Sequence, residues 1–204
     1  MEHLQTLINE ISAINDIDDK ISAINEVKRQ LQEVSPFKDE PVDCVLWVKA
    51  DSVEGNDYNP NSVAPPEMKL LEISICEDGY TQPIVAWGLN DYYEVVDGFH
   101  RNRVGKESAA VSKRLHGYLP IVNINQSRAD KGDRIAATIR HNRARGKHQV
   151  DAMGDIVRDL SKRNWSDSKI AKELGMEPDE VLRLKQITGL AELFSDAEFS
   201  MAWE

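Results

Sequence analysis

Cysteine is all but absent: Cys44 and Cys76 are the only two among 204 residues, without metal-ligand spacing and in apolar surroundings. This excludes a disulfide framework and a thiolate metal centre, and it favours buried reduced thiols over a nucleophile. Also missing is any apolar run near the ~20 residues that a membrane span needs. The start, Met1-Glu2-His3, lacks the cationic and apolar regions of a secretory leader, so a cytoplasmic chain without membrane association is expected. Positive charge is scarce too, with 25 Lys and Arg against 35 Asp and Glu.

The scarce cations are concentrated. Phe99 to His148 holds 12 basic and 3 acidic residues, +9 locally against −19 elsewhere, and four of the five histidines. A block of this kind points to a polyanion site, the alternative being a patch that faces acidic helices of the same molecule. It follows directly on Val95-Val96-Asp97-Gly98-Phe99-His100-Arg101-Asn102-Arg103, which is written as a strand, a turn and a helix cradling a phosphate. Glycine lets the turn present backbone N–H groups, the helix points its positive end the same way, and the cations complete the charge. Arginine at a helix start is unfavourable beside the macrodipole unless an anion is bound. A second cluster, Arg140-His141-Asn142-Arg143-Ala144-Arg145, follows forty residues on.

Three regions organise the chain: an amphipathic element over 1–36, a core over 41–148 and a helical region over 149–204. Leu4 to Val34 contains no Pro or Gly and repeats apolar residues at three- and four-residue intervals, which predicts helix. Asn15-Asp16-Ile17-Asp18-Asp19 is either an N-cap cluster that splits it into a hairpin or the polar face of one long helix. In the core, Val42 to Val48, Pro83 to Trp87, Tyr92 to Val96 and Leu119 to Ile124 predict strands, and Pro66 to Glu77 a helix with Met68, Leu71 and Ile75 inward. The predicted fold class is α+β, a mixed sheet with helices.

In the last region, Ala171, Gly175 and Val181 stand at helix-turn-helix spacing. The second helix opens on Glu177, Asp179 and Glu180, which repel phosphates, although Arg183 and Lys185 follow as candidate DNA contacts. Asp151 to Leu190 carries 7 basic and 8 acidic residues, so the footprint of an independent DNA binder is missing.

Asn59-Pro60-Asn61, the helix to Glu77, Asp78-Gly79-Tyr80-Thr81-Gln82-Pro83-Ile84-Val85, the cradle and the Asn142/Arg145 cluster occur in the order of the ParB N-terminal domain, followed by its helix-turn-helix. The chain resembles the ParB/sulfiredoxin superfamily and is most similar to the IbrB-type branch of prophage gene co-activators. That resemblance implies an NTP-binding regulatory protein, a DNA-associated switch or transcriptional co-activator. CTP or ATP would be the nucleotide, with Mg²⁺, and a PAPS-reductase-like protein, DNA, and a homodimeric or heteromeric assembly would be its partners. Family segments for the phosphates fall on Gly98, Phe99, His100, Arg101 and Arg103, and on His141, Asn142 and Arg145, with Asn142 as metal-side candidate. Thr81, Gln82 and Pro83 correspond to the part near the base. Phe99 and His141 replace the family's glutamates, which puts metal geometry and hydrolysis in question. The switch expected is an ordering of the Arg140 to Arg145 segment against the cradle.

Related branches supply alternatives. Sulfiredoxin's catalytic cysteine position is Phe99 here, which excludes sulfinic-acid reduction. The free-serine kinases carry Asp-Gly-His-His-Arg, one residue from Asp97-Gly98-Phe99-His100-Arg101, so an ATP- or ADP-dependent phosphotransferase is the alternative, with Asp97 or Glu54 as base or metal ligand. A ParB-like nuclease is a third reading.

Overall fold

The computed structural model describes residues 2–56, 65–89, 92–124, 130–143 and 150–194. The chain divides into two compact units, one built on a sheet and the other holding the helices from Lys131 onward.

The sheet unit begins with two helices, α1 (Glu2–Ala13) and α2 (Ile17–Val34). Asp16 makes the break: its carboxylate accepts from the Asp18 and Asp19 amides at 2.9 and 3.0 Å, satisfying donors that a continuous helix would have paired. The hairpin alternative is therefore the correct one. Among the described residues five strands follow: β1 (Leu46–Lys49), β2 (Val53–Glu54), β3 (Ile84–Gly88), β4 (Tyr93–Asp97) and β5 (Tyr118–Asn123). They are ordered β1-β5-β3-β4-β2, with β1–β5 and β3–β4 antiparallel and β3–β5 and β2–β4 parallel. The mixed α+β class is thus confirmed. The strand expected from Val42 instead begins at Leu46, because Pro41 opens a 3-10 turn over Pro41–Asp43 and leaves Val42 exposed.

Between the strands lie α3 (Pro65–Asp78), α4 (Phe99–Glu107) and α5 (Ala109–Arg114). Leu46, Val48, Val53, Ile84, Ala86, Val95, Leu119 and Ile121 form one core, and Ile75, Val104 and Val111 form another. Met68 and Leu71 of α3 pack on the latter with Ile75, as the helical spacing predicts. At Gly105 a Cβ would collide with Leu119 and with the Tyr80 hydroxyl, so only glycine lets α4 lie this close.

The second unit holds α6 (Lys131–Arg143), α7 (Val150–Lys162), α8 (Asp167–Leu174) and α9 (Pro178–Phe194). Ile135, Ala136 and Ile139 of α6 share a core with Val157, Leu160, Ile170 and Val181. Helix α6, grouped by sequence with the sheet-bearing core, therefore packs among the later helices. Gly175 ends α8 at φ 64°, and Ala171 and Val181 are buried on either side of the turn, the helix-turn-helix arrangement that the spacing predicts. Among the described residues, no helix is long and apolar enough to cross a membrane.

Candidate anion-binding site

Strand β4 ends at Asp97 and α4 begins at Phe99, so a single residue must redirect the chain. Gly98 does so at φ 91°, where a Cβ would stand 2.9 Å from Arg101 Nη2. The Asn102 amide donates to the Gly98 carbonyl at 2.8 Å, and among the described residues no side chain caps this helix end. The amides of the first turn and the positive end of the dipole remain to face an acceptor.

Arg101 ties the sequence candidates together. Its Nη1 donates to Gln82 Oε1 at 3.1 Å, and its Nη2 donates to the Pro83 carbonyl at 3.3 Å and to Asp97 Oδ2 at 3.4 Å. The Asp97 side chain is only 4% exposed, which makes this a largely buried ion pair. Among the described residues, Arg101 Nε is buried with no hydrogen-bond partner. The same holds for both ring nitrogens of His100. Burial, and then the nearby Arg103 cation, hold the His100 pKa below 6.5, so the ring is neutral at pH 7. A neutral imidazole offers one donor and one acceptor.

Other candidates are placed elsewhere. Phe99 packs against the sheet core, and its Cε2 would lie 2.7 Å from a Cβ on Gly55, so it fills the space beside that glycine with its ring edge-on to His100. Arg103 stands two residues beyond Arg101, and on a helix such residues do not share a face. Its Nε donates to Glu107 at 3.0 and 2.9 Å, and Arg103 is not brought to the Arg101 cluster. Thr81 and Glu54 are exposed, with Glu54 beside Glu94 at the end of β2. His141 and Asn142 lie on α6, in the second unit, and their side chains are outside the described residues, as are Arg145 and Asn59-Pro60-Asn61.

Several basic residues serve the fold. Arg114 donates to the Ile75 and Cys76 carbonyls at 2.6 and 2.7 Å, closing the end of α3, and Lys106 donates to the Val53 carbonyl. Arg140 pairs with Glu173. The Arg140–Glu173 pair is of the kind that the intramolecular alternative for the basic block expects, whereas Arg114 and Lys106 meet backbone carbonyls. In the helix-turn-helix, Lys185 of α9 pairs with Asp167, whereas Arg183 is exposed.

Sequence reasoning missed Tyr80, whose hydroxyl donates to the Arg101 carbonyl at 2.6 Å and whose pKa burial pushes up to about 12. It also missed Asn56, whose amide donates to the Val95 carbonyl at 2.6 Å, and Asn102, which is buried beneath the first turn of α4. Nothing in their local sequence marks them, since each acts through a partner on another element or through burial.

Residues 35–116 match the ParB N-terminal domain, and residues 148–196 match the IbrB-like C-terminal HTH domain. The uncharacterized protein YbdM of Escherichia coli strain K12 is 59% identical over 187 residues, covering 91% of this chain and 88% of that protein. Among solved structures, C-terminally truncated ParB from Caulobacter crescentus complexed with CTP-γ-S is 19% identical over 74% of this chain and 83% of that one, with TM-score 0.40. The same protein complexed to the centromeric parS site gives 17% identity, 72% and 75% coverage and TM-score 0.48. A Pnob8-like ParB-N domain gives 13% identity, 74% and 73% coverage and TM-score 0.49.

Proposed function

Because the chain belongs to the ParB-like superfamily, in the branch with an IbrB-type helix-turn-helix domain, we propose that it is a DNA-associated regulator whose state is set by a nucleoside triphosphate, CTP or ATP. The carrying observation is the buried, partnerless set of His100 Nδ1, His100 Nε2 and Arg101 Nε at the uncapped start of α4. A buried polar atom left unsatisfied costs about 1–3 kcal/mol. A phosphate oxygen accepting from the imidazole N–H, the first-turn amides and the guanidinium relieves that cost at the donor nitrogens where the helix dipole favours negative charge, and at both ring nitrogens once His100 is protonated.

In this reading Gly98, His100 and Arg101 hold the phosphates, and Thr81, Gln82 and Pro83 lie toward the base. Arg103, held at Glu107, and Phe99, packed on the sheet core, touch no phosphate in this reading, and the resemblance adds His141, Asn142 and Arg145. By the resemblance, Asn142 would be the residue to hold Mg²⁺, which would supply charge neutralisation to the phosphates. Asp97 is engaged by Arg101, so the phosphotransferase reading must first break that pair to use it as a base. Arg183 is the exposed α9 cation proposed to meet DNA, with Lys185 held at Asp167. The IbrB-type resemblance adds transcriptional co-activation in the cytoplasm, with a PAPS-reductase-like protein as partner and a dimeric or heteromeric assembly.

A calorimetric screen of ATP, ADP, CTP and GTP, with and without Mg²⁺, tests the nucleotide. One triphosphate should bind the parent and Arg103→Ala alike and lose affinity in folded Arg101→Ala. Absence of binding by all four, or binding indifferent to Arg101, overturns the reading. DNA anisotropy on the intact protein, with and without the nucleotide found, tests the output, and Arg183→Ala should weaken it.

A further inference from the structure

We propose that the groove between α3 and α4 is a second ligand site, one that takes a free amino acid with an apolar side chain. This inference is independent of the nucleotide reading. The groove is open to solvent and has a volume of about 340 Å³, at the small end of the ~300–1,000 Å³ typical of small-molecule sites. Its apolar lining is Pro65, Met68 and the buried Val104.

The charges in the lining come as two pairs, one on each helix. On α3, Lys69 Nζ lies 2.7 Å from Glu72 Oε2, and on α4, Arg103 Nε lies 2.9 Å from Glu107 Oε2. Their sum is zero, so neither a polyanion nor a polycation matches the groove, whereas a zwitterion does. Both pairs run along a single helix with half-exposed members, and such pairs are worth about 0–1 kcal/mol, so opening them costs little. A ligand carboxylate can replace Glu107 on the Arg103 guanidinium, which suits two-pronged carboxylate recognition. The ligand ammonium then meets Glu72.

Ser108 makes Glu72 more than a surface carboxylate. It occupies the N-cap position of α5, where a serine ordinarily accepts from the helix's own amides, and it does not cap. Its hydroxyl instead donates to Glu72 Oε1 at 2.8 Å, with the serine only 9% exposed. Lys69 and this hydroxyl hold the Glu72 carboxyl below the usual carboxylate range, so it is a fixed anion at neutral pH. The side chain of the amino acid would then lie along Met68, Val104 and Pro65, which sets the preference for an apolar one.

Calorimetry on the full chain with L-leucine and L-methionine tests this, against 4-methylpentanoate, which lacks the ammonium, 3-methylbutylamine, which lacks the carboxylate, and glycine, which lacks the side chain. Leucine or methionine should bind at least about tenfold tighter than all three. Glu72→Gln and Arg103→Gln, checked as folded by circular dichroism, should each lose about tenfold or more, while Glu107→Gln, which removes the competing carboxylate, should bind at least as well as the parent. Failure of both amino acids to bind at about 10 mM, equal binding of the truncated analogues, or indifference to Glu72 and Arg103 in folded variants overturns the proposal. Nucleotide binding measured on the same samples with Arg101→Ala reports separately on the site at the start of α4.

Discussion

Asn25 of α2 holds the backbone of Trp47 in β1 at both its polar groups: Nδ2 donates to the Trp47 carbonyl at 2.6 Å, and Oδ1 accepts from the Trp47 amide at 3.0 Å. Strand β1 lies at the sheet edge, so groups facing away from β5 have no neighbouring strand. The carboxamide stands in for one, and Lys28 adds a bond to the Val45 carbonyl at 2.8 Å. Helix α2 thereby covers an edge that would otherwise invite pairing with another chain.

Asn25→Ala should destabilise the protein by about 1–3 kcal/mol, because it leaves a part-buried amide and carbonyl unsatisfied. Asn25→Asp should be no better, since a carboxylate accepts from the amide but repels the carbonyl. Denaturant unfolding reads both, and a change below about 0.5 kcal/mol, the range of an ordinary surface substitution, refutes the edge-cover role.

At Gly105 an added methyl meets Leu119 and the Tyr80 hydroxyl. Gly105→Ala should cost about 1–3 kcal/mol through overpacking. Tyr80→Phe, which removes the hydroxyl, should return part of that loss in the double variant although it is itself destabilising. A thermal-unfolding cycle measures the coupling, and strict additivity would show that the two do not touch.

Arg101→Ala should affect folding as well as binding, because it removes the guanidinium from a carboxylate that is 4% exposed. About 3–5 kcal/mol of stability should be lost, and Asp97→Asn in the same background should recover part of it. Equal stability of parent and Arg101→Ala in urea would mean that the pair contributes nothing.

For His100, the folded pKa lies below 6.5 because burial disfavours the cation. As pH falls through 6.5 the unfolded chain takes up the proton first, so stability declines from there down to the folded pKa and levels off below it. A bound phosphate favours the imidazolium, so nucleotide affinity should rise over the same fall in pH. NMR titration of the His100 ring should give an apparent pKa below 6.5 in the free protein and a higher one with triphosphate. A free-state value at or above 6.5 contradicts the burial argument.

Much of the architecture was legible from the chain because its signals are local. The Asp16 cap, the turn at Gly98 and the Ala171, Gly175 and Val181 spacing each act within a few residues, and each sits where the pattern placed it. The start of β1 was misread because apolar Val42 looked like strand while Pro41 opened a turn. The excess of cations after Phe99 was legible as composition. How many of them hold the fold together was not, since composition does not say which carbonyl or carboxylate each one meets.

By itself, the sequence determined the order of elements, the left-handed turn before α4 and the helix-turn-helix, because backbone preferences and capping are decided between near neighbours. Only the tertiary structure decided the use of individual side chains. Arg101 reaches Gln82 and Pro83 while Arg103 turns to Glu107, Lys185 is held by Asp167, and Asn25 acts on a strand 22 residues away. Most of these partners are distant along the chain, and packing brings them together; where both partners share α4, the 3.6-residue turn separates two arginines that the sequence writes side by side.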